Sequence, residues 1–381
     1  MKKAISVLLA GMLLCTLLVG CKWDNPDAKM EDSKEVPKPT HISEATEDGV
    51  RVELDLDVPC NELPWVYQRA DLHITADDVK KFLAHNGECV QKVAFDETED
   101  DEHTYVVYTD KNSFVSNINS LSAGGCEFTY TSKIYDDYGY AFVDYHYIEE
   151  ENVSATIPDN RHLYREPKSF AFATCEEAHD KAVGYLEELG LSSLRTVETL
   201  YLDHEIMTAF AQSAEVQDWM KHYERTDLIE SGYDSSYDAY YFRFGLSKGG
   251  VPKMEHEVSS LTSFDAPDDI YVIINADGLV FLQAIGLPFG ERREQLQAIV
   301  MPEQILSAAK AYAAEVVSEN TKTIDSCALR YIDSKEEAGF FMRPVWVVGI
   351  CYTGSMQEGV ESSKDHHEYL VYDAASGKQL Y

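Results

Sequence analysis

A few short patterns in this 381-residue chain have the residue types that hydrolysis or zinc binding would need. Ser307 and Lys310 form an S-x-x-K sequence on a predicted helix, where the lysine amine can approach the serine hydroxyl across one turn. No K-T-G sequence follows, so the pair is expected to be two surface residues of a helix. His204, His256 and His367 each precede a glutamate, but none has the second histidine of the H-E-x-x-H zinc motif.

Two further runs carry potential metal ligands. His366 and His367 are adjacent on a predicted strand, so their side chains point to opposite faces and do not easily share one ion. The acidic run 96–102 lacks the spacing and the glycine of an EF-hand and is expected to be a solvated loop. The sequence contains no G-x-S-x-G elbow, P-loop or G-x-G-x-x-G turn. We therefore predict no enzymatic activity, no catalytic residue, no metal site and no dissociable cofactor.

The residue with the clearest chemical role is Cys21, at the end of an apolar segment. Lys2 and Lys3 form a basic head, residues 4–19 are almost entirely apolar, and Gly20 presents no side chain to a peptidase. A basic head, a short apolar run and a small residue at the cleavage point are typical of a secretory signal peptide. An uncleaved membrane-spanning helix and a secreted protein cleaved elsewhere are the alternatives.

The tetrapeptide Leu18-Val19-Gly20-Cys21 resembles the lipobox of bacterial lipoproteins. The resemblance implies cleavage between Gly20 and Cys21, and a diacylglycerol thioether with an N-acyl chain on Cys21. Each buried acyl CH₂ contributes about 0.8 kcal/mol, so two or more chains hold a protein stably at a membrane. The expected location is the outer face of the cytoplasmic membrane.

The chain is strongly acidic, with 32 basic and 67 acidic residues and a net charge of −35. A field of this sign repels nucleic acids and anionic lipids, which excludes nucleic-acid binding as a function. The simplest role of this charge is to keep the extracytoplasmic part of the protein soluble. Loose accumulation of divalent cations and contact with a basic protein are the alternative roles. Beyond residue 20, no apolar run reaches the length that a membrane-spanning helix needs.

The cysteines allow two states. Cys15 leaves with the signal and Cys21 takes the lipid, so six remain: Cys60, Cys89, Cys126, Cys175, Cys327 and Cys351. An even number outside the cytoplasm permits three disulfides, and six buried thiols are an equal alternative. The best single pair is Cys327 with Cys351, because both lie on strands predicted to form one hairpin. No C-x-x-C sequence occurs, which argues against a redox motif or a zinc ribbon.

Composition divides the mature chain into a tether and two or three folded modules. Residues 21–48 are polar, acidic and proline-containing, which predicts a disordered tether. Helix-start patterns near Thr75, Thr174 and Pro302 are each followed by strand patterns. We predict an α+β fold in which antiparallel sheets each pack against one or two helices. The expected domains are residues 49–160, 168–290 and 291–381.

The C-terminal strands carry a second resemblance. Residues 343–348, Arg-Pro-Val-Trp-Val-Val, and residues 369–378, Tyr-Leu-Val-Tyr-Asp-Ala-Ala-Ser-Gly-Lys, look like the PepSY-type modules of Gram-positive surface proteins. They are also similar to the C-terminal domains of extracytoplasmic proteins that restrain sensor kinases. The whole chain resembles uncharacterised lipoproteins of gut Clostridia. The resemblance implies a non-catalytic module that contacts another protein, and it supplies no site residues.

Three functions are compatible with these features. The favoured one is a surface lipoprotein without catalysis that contacts a membrane or surface protein in a regulatory, sensor-accessory or envelope role. The alternative is an extracytoplasmic binding protein for a sugar or peptide, with a cleft lined by residues such as Trp219 and Trp346. The tyrosine-rich segments 135–147 and 233–244 are expected to pack in the core and on sheet faces; a sugar-stacking or protein-binding surface is the alternative. The third is a hydrolase, which needs a nucleophile–base or acid–base cluster that no linear motif reveals.

Overall fold

Two large β-sheets and one two-stranded sheet contain the strands of the described chain. The structure is a computed structural model, and it describes residues 32–46, 49–70, 91–97, 103–109, 113–120, 125–139, 160–214, 216–217, 226–254, 269–285, 288–316, 321–336, 339–353 and 366–380. Gly20, Cys21 and Trp219 lie outside these ranges, as does the helix start predicted near Thr75.

The described strands are numbered in chain order. They are β1 Asp32–Ser33, β2 His41–Ala45, β3 Val50–Asp57, β4 Trp65–Arg69, β5 Gln91–Glu97, β6 His103–Thr109, β7 Ser113–Ser120, β8 Gly125–Ser132, β9 Leu194–Leu202, β10 Ala239–Lys248, β11 Val251–Pro252, β12 Asp269–Asn275, β13 Gly278–Ile285, β14 Phe289–Gln295, β15 Ile299–Val300, β16 Thr321–Glu336, β17 Gly339–Thr353 and β18 His366–Asp373.

The described helices are short or of moderate length. They are α1 Tyr135–Tyr138, α2 Cys175–Glu188, α3 His204–Ala211, α4 Thr226–Ser231 and α5 Pro302–Glu315, with 3-10 turns at Arg161–Tyr164 and Ser235–Tyr237. Within the described residues, none combines the length and the apolar character needed to cross a bilayer.

The larger sheet has the order β11-β10-β12-β13-β8-β7-β6-β5, with β9 also paired to β10. Its β12–β13 hairpin turns at Ala276-Asp277, and Gly278 begins β13 opposite Asn275. Gly278 has a φ of 115°, a conformation that favours glycine. Helix α2 packs on this sheet and buries Ala178, Ala182 and Leu186, which follow the helical spacing read from the sequence.

The second sheet has the order β14-β4-β17-β16-β3-β2, and β18 also pairs with β17. Its centre is the long β16–β17 hairpin, whose pairs extend from Glu336 and Gly339 to Thr321 and Thr353. β3 runs parallel to β16, which is the exception among the otherwise antiparallel strand pairs of the described residues. A parallel pair needs a long crossover, and more than 260 residues separate these two strands in the sequence.

The core between this sheet and helix α5 follows simple alternation. Residues of β3 alternate between buried and exposed, with Val50, Val52, Leu54 and Leu56 at most 3% exposed. Burying one such side chain contributes about 1.5–3 kcal/mol. Helix α5 begins with Pro302 at its first turn and packs its apolar residues against β3, β16 and β17.

The predicted α+β class is confirmed, because helices pack on sheets whose pairs are almost all antiparallel. Pairings nevertheless connect the three predicted residue ranges. β3 and β4, from the range 49–160, pair with β16 and β17, from the range 291–381. β8, also from 49–160, pairs with β13. The three ranges therefore share two sheets, and residues 32–381 form one compact unit.

The predicted disordered tether, residues 21–48, is corrected at its C-terminal end. β1 pairs with β15, and β2 pairs with β3 as an edge strand. β2 is mostly exposed and is held by polar contacts: Ser43 Oγ donates to Glu53 Oε2 at 2.6 Å. The polar composition of β2 correctly indicates that this strand buries little apolar surface. Backbone hydrogen bonds to β3, together with side-chain hydrogen bonds, nevertheless order it as an edge strand.

Candidate functional site

Three neighbouring strands of the second sheet bring Asp325, Cys351 and His367 together. Each residue offers one ligand atom, and these atoms all lie within 4.8 Å of one another. The three residues come from β16, β17 and β18, so no local sequence pattern connects them. Of the two such clusters among the described residues, this one combines three different donors: a carboxylate, a thiol and an imidazole.

Strand register places the thiol beside the imidazole. Cys351 of β17 lies directly opposite His367 of β18 in the antiparallel ladder. Directly opposite residues have Cβ atoms about 4.5–5.5 Å apart on the same face of a sheet. Cys351 is 7% exposed, whereas the His367 side chain is 38% exposed, so the cluster has a buried floor and an open rim.

A β-bulge brings the carboxylate to the same place. Ile324 pairs with Ile350, and Ser326 pairs with Gly349, so Asp325 is the extra residue of β16. A bulge bends the strand and redirects a side chain. The Asp325 carboxylate here reaches His367, with 2.8 Å between its Oδ2 and the ring Nε2.

Gly349 provides the room for this bulge. A Cβ atom at Gly349 would collide with Ser326 Oγ, lie 3.0 Å from Asp325 Oδ1 and lie 3.1 Å from a ring carbon of Tyr369. The Gly349 amide instead donates to Ser326 Oγ at 3.1 Å. The Tyr369 ring also stacks on His367, with centroids 6.3 Å apart and planes 19° apart. The glycine and the stacked ring together position the carboxylate and the imidazole.

The cluster is convergent, which limits its chemistry. In a nucleophile–base–acid relay, the thiol and the carboxylate contact opposite nitrogens of the imidazole, so the ring separates them. Here the ligand atoms of Cys351 and Asp325 lie within 4.8 Å of each other. Three donors this close together can approach one ion, whereas a linear proton relay places the thiol and the carboxylate on opposite sides of the ring.

Glu368 follows His367 in β18 and has a different role. Its carboxylate accepts hydrogen bonds from Tyr312 and from Tyr352, the latter at 2.7 Å. Burial, reinforced by Glu368, raises the pKa of Tyr312 to about 12. Both phenols therefore remain protonated donors at neutral pH. Glu368 thus joins helix α5 to β17.

A second cluster contains Asp203, His204 and Asp238 at the start of helix α3. Asp203 is 1% exposed and caps the helix, accepting from the amide of Glu205 at 2.8 Å. Lys168 pairs with the same carboxylate. His204 Nδ1 lies 2.8 Å from Asp238 Oδ1. Capping and ion pairing already engage the Asp203 carboxylate, so this cluster serves the helix end.

The Cys327–Cys351 disulfide does not form, although the predicted hairpin does. Cys327 pairs with Val348, whereas Cys351 pairs with Thr323, so the register separates them by several residue steps of about 3.3 Å each. A disulfide needs Cα atoms within about 7 Å. The cysteines described as thiols are Cys60, Cys175, Cys327 and Cys351. Burial raises the pKa of Cys327 to about 12.

The other sequence candidates are distributed through the fold. Ser307 is exposed on helix α5, and Lys310 pairs with Glu44 of β2. Trp346 is fully buried, and its indole Nε1 donates to the carbonyl of Val300 at 3.0 Å. The sequence patterns around His367 involve its neighbours His366 and Glu368 and do not reveal the partners that β16 and β17 supply.

The comparisons with known proteins report on the fold. No protein-family model and no curated protein matches the sequence. An uncharacterized protein from Eubacterium rectale has a similar structure, with a TM-score of 0.53 and 16% identity over 92% of this chain and 96% of that chain. The two share a fold.

The C-terminal domain of YpeB from Bacillus megaterium also matches, with a TM-score of 0.27 and 11% identity over 82% of this chain and 97% of that domain.

Proposed function

We propose that this protein is a lipid-anchored, extracytoplasmic protein that acts without catalysis, by contact with a membrane or surface protein. The role would be regulatory, sensor-accessory or structural in the envelope. The observation that carries the proposal is the segment from Lys2 to Cys21, with its basic head, apolar run and Gly20-Cys21 ending. Lipid on Cys21 would hold the acidic body at the outer face of the cytoplasmic membrane.

The described aromatic residues of 239–244 and Trp346 are packed in the core, which weighs against their use as a stacking surface for a sugar or peptide. The alternative function needs exposed rings in a cleft. Tyr240, Tyr241, Phe242 and Phe244 are at most 2% exposed. Trp346 is also buried against the main chain. These rings pack inside the described part of the fold, so they are not available to stack on a sugar or peptide.

The net charge supports a basic partner surface. At −35, the chain repels anionic lipids and attracts positively charged surfaces over roughly a Debye length, about 8 Å at physiological ionic strength. Among the described residues, the most exposed large apolar side chains are Leu163 and Leu380, at 36% and 38%. A polar, electrostatically guided contact fits these features better than a hydrophobic one.

The test is crosslinking in intact cells followed by reciprocal capture. We expect the wild-type protein to recover one specific membrane or surface protein, and that protein, tagged in turn, to recover the lipoprotein. Cys21→Ser should release the protein from the membrane and lose the contact. Cys175→Ser, which removes a partly exposed thiol elsewhere, is the matched control and should retain it.

Two results would contradict the proposal. One is a Cys21→Ser protein that remains membrane-bound and keeps the same partner. The other is the absence of any reciprocal partner together with a sugar or peptide that raises the melting temperature of the purified protein, which would favour the ligand-binding alternative.

A further inference from the structure

We propose that Asp325, Cys351 and His367 bind a divalent transition-metal ion of the zinc class. The proposal goes beyond the anchoring and contact function, because it rests on a different part of the molecule. Its basis is the convergence of a carboxylate, a thiol and an imidazole from three strands, with ligand atoms within 4.8 Å of one another.

The donor set selects the class of ion. A thiolate and an imidazole favour zinc and its borderline-soft neighbours, whereas magnesium and calcium favour oxygen ligands alone. Zinc binds cysteine sulfur at about 2.3 Å, histidine nitrogen at about 2.0–2.1 Å and carboxylate oxygen at about 2.0–2.2 Å. These bond lengths put tetrahedral ligand atoms roughly 3.4–3.6 Å apart.

The geometry is close to that requirement. Asp325 Oδ2 and His367 Nε2 lie 2.8 Å apart and share a hydrogen bond. An ion would replace that hydrogen bond and push the two atoms apart by less than about 1 Å, given tetrahedral zinc geometry. The Cys351 thiol would lose its proton to solvent on binding. The partly exposed side chains of Asp325 and His367 can rotate to accommodate the ion.

The surroundings fix the ligands and leave access for an ion. The bulge at Asp325 depends on Gly349, and Tyr369 stacks on the His367 ring. Asp325 and His367 have side chains 34% and 38% exposed. Three protein ligands at an accessible rim leave a fourth position for water, as in zinc sites that exchange their ligands.

The first experiment uses the unaltered, full-length lipoprotein in detergent. Zinc should bind with a stoichiometry of one, and cobalt in its place should give the sulfur-to-cobalt absorption of a thiolate ligand. Zinc should protect Cys351 from alkylation, as read by peptide mass spectrometry, and a chelator should remove the protection. Cys60 and Cys175 act as internal controls, because their alkylation should not depend on zinc.

The second experiment uses variants. Cys351→Ser, His367→Gln and Asp325→Asn should each weaken zinc binding at least tenfold. His204→Gln alters the other histidine–carboxylate cluster and should leave the affinity unchanged. The proposal is overturned if zinc fails to bind at micromolar concentration, if it binds without protecting Cys351, or if His204→Gln is the variant that abolishes binding. The protection of Cys351 from alkylation is measured on the unaltered protein, so it tests the proposal even when a variant fails to fold.

Discussion

Lys253 and Asp333 form an ion pair in the interior, with 2.8 Å between Nζ and Oδ2 and side chains 4% and 8% exposed. Lys253 directly follows β11 of the larger sheet, and Asp333 belongs to β16 of the second sheet. The main chain reinforces this junction, since the Met254 amide donates to the carbonyl of Tyr331 at 2.8 Å. The pair therefore lies where the two sheets meet.

Removing one member of this pair should be costly. We expect Lys253→Met and Asp333→Leu each to lower the free energy of unfolding by about 3–5 kcal/mol, because each leaves a buried charge without its partner. The double variant should be more stable than either single variant, since no charge then remains buried. Urea unfolding of the four proteins measures these differences. Additive losses in the double variant would contradict the interpretation.

The glycine below the cluster gives a second prediction. Gly349→Ala should lower the free energy of unfolding by about 1–3 kcal/mol, because its Cβ must displace Ser326 and Asp325. It should also weaken zinc binding. Gly184→Ala in helix α2 is the matched control, since nothing lies within 4 Å of its Cβ and alanine favours helices by up to about 1 kcal/mol. Equal effects of the two substitutions would show that the bulge does not require glycine.

The N-terminus of helix α2 predicts a pH dependence. The Thr174 amide donates to Glu177 Oε2 at 2.8 Å, and this hydrogen bond and the one from the Thr174 hydroxyl lower the pKa of Glu177 from its usual 4.5. A lowered carboxyl pKa contributes stability above the unfolded pKa and loses it as the pH falls through the folded value. We expect the melting temperature of wild type to exceed that of Glu177→Gln at pH 7 and the gap to shrink below about pH 4.5. A gap that is constant with pH would contradict this.

The thiols should differ in reactivity. Cys175 is partly exposed, whereas Cys327 is 1% exposed and burial raises its pKa to about 12. Only the thiolate is nucleophilic, so Cys175 should alkylate far faster than Cys327 in the folded protein. Mass spectrometry of non-reduced peptides at timed intervals measures both rates. Recovery of a Cys327–Cys351 disulfide peptide would contradict the register of β16 and β17.

Local patterns predicted the elements whose causes are local. The Thr174–Glu177 capping box forms with both reciprocal hydrogen bonds, and Gly190 follows the helix with a φ of 83°. The hairpin of β12 and β13 also forms, with its turn at Ala276-Asp277 and Gly278 as the first residue of β13. In each case the residues that determine the conformation lie within a few positions of one another, so the sequence alone is sufficient to predict the element.

Other features depended on tertiary context. The apolar run 207–211 favours a strand by itself, but Asp203 caps it as helix α3. The Asp203 side chain accepts from the amides of Glu205 and Ile206, and the apolar spacing of the run alone does not reveal this cap. The parallel pairing of β3 with β16 and the extra residue at Asp325 arise from contacts between distant segments. The Asp325–Cys351–His367 cluster could not be found without that register.

The measurement that tests the central claim most directly is the mass of the amino-terminal peptide of the protein purified from cells that process lipoproteins. We predict a peptide that begins at Cys21 and carries a diacylglycerol thioether, with residues 1–20 absent. A peptide that begins at Cys21 without lipid, or one that retains Lys2 and Lys3, would contradict the anchoring and remove the basis for a contact at the membrane.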